Sequence, residues 1–142
     1  MNTTTTPEPD AAREAWAARV AGFARDAAPK SQRFAEALVA LVAPAEGAQV
    51  LDVATGSGVV AVAAAQRVGP DGRVVATDFV AEWAPYVAAS AADAGVSNVT
   101  FEVMSAEALA LPDASFDVVL CQFGLMFVPD KLLALREMRR VL

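Results

Sequence analysis

The sequence predicts an α/β domain built on a parallel sheet. Three observations point there. From about residue 48 onward, short Val-rich runs alternate with Ala-rich segments of helical periodicity. A glycine-containing turn, Thr55 to Gly58, joins the first such run to the first such helix. The chain has 142 residues, 56% of them hydrophobic, which suffices for one sizeable core.

The Thr- and Pro-rich residues 1–9 read as a disordered tail without the apolar stretch of a signal peptide. Trp16, Val20 and Phe23, at helical spacing, predict a helix from Asp10 to Ala27, with Asp10 as its cap and Pro29 closing it. Phe34, Leu38, Val39 and Val42 predict a second helix over Ser31 to Ala43, ended by Pro44 and Gly47. Residues 10–46 are thus read as N-terminal helices and 47–142 as the core. In that core, Ala48 to Ala54 (AQVLDVA) is a buried strand and Val59 to Val68 a helix. Gly69-Pro70-Asp71-Gly72 must be a loop. Arg73 to Thr77 is a second strand, Ala81 to Ala94 a helix interrupted by Pro85, and Val99 to Met104 a third strand. Ser105 to Ser115 is a loop, Phe116 to Gln122 a fourth strand, and the last helix runs from Pro129 or Asp130 to Leu142. Arg136, Arg139 and Arg140 read as its solvated face.

Composition removes several function classes. A net charge of −6 argues against nucleic-acid binding. With no histidine and one cysteine, Cys121, there is no Ser-His-Asp triad, no Cys-His pair, no His-ligated zinc and no internal disulfide. No metal site is expected. No stretch is long and apolar enough for a membrane span, so a cytoplasmic protein is expected.

The chemistry-bearing motif is VLDVATGSGVVA, Val50 to Ala61. Gly56 and Gly58 stand where a strand must turn sharply into a helix; glycine permits positive φ and lets a ligand approach the backbone. The helix that follows offers free N–H groups. Asp78 ends the second strand 20 residues after Gly58, where a carboxylate can accept both ribose hydroxyls of an adenosine. This much fits NAD as well. Asp52, an acid just before the glycines, offers nothing to a pyrophosphate but suits a cationic ligand such as S-adenosylmethionine, with its ammonium and sulfonium.

The downstream segment SAEALALPDASFDVVLCQFGLMFVPDKLLALREMRRVL, together with DVATGSG and ATD, resembles methyltransferases of the ubiquinone/menaquinone-biosynthesis type, over roughly residues 31 to 142. The resemblance implies a Rossmann-like class I methyltransferase fold with strand order 3-2-1-4, S-adenosylmethionine as cofactor and a small-molecule methyl acceptor. It places Asp52, Ala54, Thr55, Gly56 and Gly58 around the methionine part, Asp78 on the ribose and Phe79 on the adenine. Ala106 would offer its backbone N–H to the adenine, with Glu107 beside it. Gln122 would supply a backbone carbonyl to the ammonium, and Phe123 a wall. Ser105 stands where the family has an acid, which implies a weaker adenine contact. The resemblance also implies that strands following Leu142 in relatives are missing, leaving the fourth strand as an open edge through which the chain could dimerise.

Plainer readings stand beside these. The glycines could mark only a tight turn, and Asp78 could cap the next helix. Asp117 reads as a structural turn residue. Phe123, Met126 and Phe127 fit core packing as well as substrate lining. Trp16, Trp83 and Tyr86 read as core or lid. No catalytic residue is assigned, because methyl transfer from a sulfonium chiefly needs alignment. Two other functions remain open: an NAD-binding oxidoreductase domain, and a non-catalytic module that dimerises.

Overall fold

The computed structural model describes residues 9–142. The expected tail lies outside the described residues, except for Pro9, which opens the first helix. In chain order the elements are α1 (Pro9–Ala17), α2 (Val20–Asp26), α3 (Ala28–Val42), β1 (Gln49–Val53), α4 (Val59–Val68), β2 (Arg73–Asp78), α5 (Ala84–Asp93), β3 (Val99–Val103), β4 (Val118–Leu120) and α6 (Lys131–Val141). Short 3-10 turns occupy Ala81–Trp83 and Leu125–Phe127.

The four strands form one parallel sheet in the order β3-β2-β1-β4, as expected. Successive strand residues point to opposite faces, so each strand feeds two cores. Val50, Val74, Ala76 and Leu120 pack beneath α3, α4 and α5 with Ala35, Val60, Ala64 and Val87. Leu51, Val53 and Val75 pack on the other face against Ala134, Met138 and Val141 of α6. β1 is central and buried beyond Gln49, which explains its unbroken apolar run apart from Asp52.

Several sequence expectations need correction. The first predicted helix is two, α1 and α2, broken at residues 18–19, and Asp10 lies inside α1 rather than capping it. Pro29 does not close a helix; it sits in the first turn of α3. Pro85 likewise starts α5 rather than interrupting it. A missing N–H costs nothing in a helix's first turn, where N–H groups have no helical partner. The fourth strand is three residues long rather than seven. Asp117, just before it, is structural: its carboxylate accepts from the Gln49 N–H at 2.8 Å, fixing β4 to β1.

Arg140 is also corrected. It does not lie on a solvated face but pins the 105–115 loop to α6. Its guanidinium donates to the carbonyls of Leu109 and Leu111, each at 2.8 Å, and contacts Asp113 and Glu137. That neighbour holds the Glu137 carboxyl down at about 2.

Candidate cofactor and acceptor cleft

The carboxyl ends of the strands open into one cleft of about 830 Å³, roofed by α1, α2 and α3. Brought together on it are Asp52, Ala54, Thr55, Gly56, Asp78, Phe79, Ser105, Ala106, Glu107, Gln122 and Phe123. Gly58 is the exception. It caps α4 at φ +87°, and a Cβ there would meet Val87 of α5 at 3.3 Å, so its role is the turn and the helix contact.

The floor is built at the ends of β1 and β2. Asp52 is buried at the end of β1, where Thr55 Oγ1 donates to its Oδ2 at 2.6 Å. Burial pushes this carboxyl up to about 7, against the pull of Thr55 and of the Ala61 N–H, and nearby Asp78 adds to the rise. A buried carboxyl with no cation beside it is costly to ionise. Asp78, from the adjacent strand, accepts from the Gly56 N–H at 3.0 Å and the Val80 N–H at 3.1 Å. Burial raises it too, partly offset by those backbone donors. Asp78 therefore caps the following turn and holds the glycine elbow, while each oxygen keeps a lone pair for a ligand.

Backbone strain gathers at the same place. Gly56 is at φ +56°, and so are two side-chain-bearing lining residues: Ala54 at φ +56° and Phe123 at φ +59°. Such conformations cost on the order of 1 kcal/mol each and persist only where the surroundings impose them. Part of the constraint is Gly124: a Cβ there would lie 2.4 Å from the Ala54 Cβ. The sequence reading missed Gly124, whose one signal is its place just after the fourth strand.

One end of the cleft carries Ser105, Ala106 and Glu107. Ser105 Oγ accepts from the Glu107 N–H at 3.1 Å, and Glu107 Oε1 accepts from the Asp130 N–H at 2.8 Å, which ties this loop to the start of α6. At the other end Gln122 Nε2 donates to the Ser31 carbonyl at 3.3 Å. Its buried Oε1 has no partner among the described residues. Aromatic rings close the cleft in edge-to-face pairs: Trp16 with Phe127 at 4.9 Å and Phe34 with Phe123 at 5.5 Å. Trp83, buried in the roof contacts, stands under the elbow; Tyr86 packs beside it.

The family model described as "Methyltransferase domain" matches residues 50–142. The chain belongs to this methyltransferase-domain family. It is 45% identical over 97 residues to the ubiquinone/menaquinone biosynthesis C-methyltransferase UbiE of Hahella chejuensis, a match covering 68% of this chain and 39% of that protein. It is 38% identical over 97 residues to the demethylmenaquinone methyltransferase of Listeria monocytogenes, covering 68% and 41%. The match thus spans about two fifths of these relatives. A SAM-dependent methyltransferase from Aquifex aeolicus superposes with a TM-score of 0.70 at 25% identity, covering 96% of this chain and 68% of that one. The fold is accordingly the Rossmann-like one. No described helix is long and apolar enough to cross a membrane.

Proposed function

We propose that the chain binds S-adenosylmethionine in this cleft and serves methyl transfer to a quinone-type small molecule. The observation that carries the reading is one arrangement: two buried carboxyls, Asp52 and Asp78, at the ends of neighbouring parallel strands, flanking a glycine elbow. The residues fit the cofactor. Among the described residues Asp52 has no cation beside it and Gln122 Oε1 has no donor, and an ammonium supplies both. When bound, the cofactor supplies a methyl group already activated on a sulfonium.

The protein's own residues then have simple tasks. Asp52 holds positive charge. Asp78 accepts the ribose hydroxyls while keeping the Gly56 amide in place. Phe79, Ser105, Ala106 and Glu107 border the adenine. The roof helices exclude water and align the acceptor. The relatives' names support a quinone-type acceptor. NAD is disfavoured by family membership and by Asp52, which would repel a pyrophosphate. Action on a small molecule rather than nucleic acid, a cytoplasmic location and pairing of two copies along the outer edge of β4 belong to the same proposal.

Calorimetric titration with S-adenosylhomocysteine tests it. We expect binding that Asp78→Ala weakens by about 1.5–3 kcal/mol, or roughly ten- to a hundredfold. Equal affinity in the two proteins removes Asp78 from the site. Stabilisation by NAD but not by S-adenosylhomocysteine overturns the reading.

A further inference from the structure

Charge and aromaticity coincide at the mouth of the cleft. Trp16 on α1 and Phe34 on α3 form its walls with Phe127 and Phe123. Each helix places a cation one turn before its aromatic wall. Arg13 precedes Trp16 by three residues and Lys30 precedes Phe34 by four, spacings that put both on one helix face, and both line the cleft. Two further guanidiniums lie over the same rings, Arg33 at 4.7 Å from Phe34 and Arg19 at 5.9 Å from Trp16.

This is not the average charge of the chain. Residues 9–34 hold five of its 11 Lys and Arg but only three of its 17 Asp and Glu. The segment that carries α1, α2 and the start of α3 is thus net positive in a protein of net charge −6, and Arg13 and Lys30 are the two of its cations that line the cleft.

Among the described residues no histidine, cysteine or tyrosine lines the cleft, so carboxyls are its candidate proton acceptors. Its carboxyls are Asp10, Asp52, Asp78 and Glu107. Asp52 and Asp78 lie on the cofactor floor, and Glu107 accepts from the Asp130 amide. Asp10 faces Arg13 at 3.6 Å in an exposed, weak pair. Neither Tyr86 nor Cys121 lines the cleft.

We infer that the mouth selects a planar aromatic acceptor in anionic form, held flat between Trp16 and Phe34 and charge-paired with Arg13 and Lys30. This rests on the methyltransferase reading. An acceptor that arrives ionised needs no base for the transfer itself: its electron pair forms the bond to the methyl carbon as the carbon–sulfur bond breaks, leaving a neutral thioether and a neutral product; where a ring carbon is methylated, its proton then passes to the ring oxygen through water. The same cations lower an acidic hydroxyl's pKa, so a weakly acidic aromatic would be captured as its anion.

The test uses a matched pair of probes, 2-naphthoate and the neutral, near-isosteric 2-naphthamide. Each is titrated calorimetrically into protein saturated with S-adenosylhomocysteine, whose own binding is measured first. We expect naphthoate to bind at least fivefold more tightly, with a preference that shrinks as salt rises. Arg13→Gln/Lys30→Gln should bring the two probes to equal affinity without changing S-adenosylhomocysteine affinity; both side chains are exposed on helix surfaces, so the fold is retained. Equal binding of the probes by the parent protein overturns the inference and leaves the methyltransferase reading standing, as does a preference that survives the double substitution or no binding of either probe at millimolar concentration. No binding of S-adenosylhomocysteine overturns both.

Discussion

Asp52 is the residue whose chemistry is most exposed to test. Its carboxyl titrates near 7 in the folded protein against 3.8 for the ordinary group. Between those values the folded state holds a proton that the unfolded chain has lost. The stability this confers is complete below about pH 4 and drains away as pH rises through 7. Asp52→Asn keeps an acceptor for Thr55 but cannot ionise. We expect it to raise stability above pH 7 by roughly 2–4 kcal/mol and to flatten the pH dependence between 4 and 7, measured by urea unfolding. The same substitution should weaken S-adenosylhomocysteine binding. In the parent protein that binding should fall by up to tenfold per pH unit below 7, because a protonated Asp52 offers no charge. Gly124 makes a second prediction at this scale. Gly124→Ala drives a methyl group into Ala54 and should cost about 1–3 kcal/mol. Ala54→Gly removes both the obstructing Cβ and the left-handed strain, so the pair of substitutions should be less destabilising than Gly124→Ala alone.

Among elements, the loop between β3 and β4 has the clearest dependence on one residue. Arg140 closes it by donating to two of its carbonyls. Arg140→Met should leave the sheet intact and raise amide hydrogen exchange across residues 105–115. The urea midpoint should fall only modestly, since the guanidinium is partly exposed. The sequence showed little of this. Three arginines at helical spacing look solvated until the fold brings Leu109, Leu111 and Asp113 under one of them. By contrast, the strand-glycine-helix unit from Val50 to Ala61 and the acid ending β2 were legible, because turn chemistry and strand ends are local. Helix ends were legible only within a turn or so, since Pro29 and Pro85 suit a helix start as well as a stop. The short β4 was overextended for a related reason: the apolar run from Phe116 to Gln122 continues into the second core, but only three residues find strand partners.

For the molecule as a whole, ligand and fold should be tightly linked. The cleft draws on every strand end and on the three N-terminal helices, so occupying it braces both cores. S-adenosylhomocysteine at a hundred times its dissociation constant should add about 2.7 kcal/mol. For a chain of this size that corresponds to a rise in Tm of roughly 5–10 °C, measured by differential scanning calorimetry. NAD at the same concentration should give no such rise. A shift with NAD alone would point to an oxidoreductase.

The roof has its own consequence. α1 buries none of its residues, and its firmest hold on the far wall is the single edge-on meeting of Trp16 with Phe127. Such a latch is worth only about 0.5–1.5 kcal/mol, a modest multiple of thermal energy. Otherwise α1 is held through Trp16 and Ala17, which pack on the cluster of Val20, Val80 and Trp83, so the wall beside Phe127 is the part of the roof expected to yield first to a bulky guest. Trp16 doubles as the hinge-pin's own lamp: its fluorescence should report each passage.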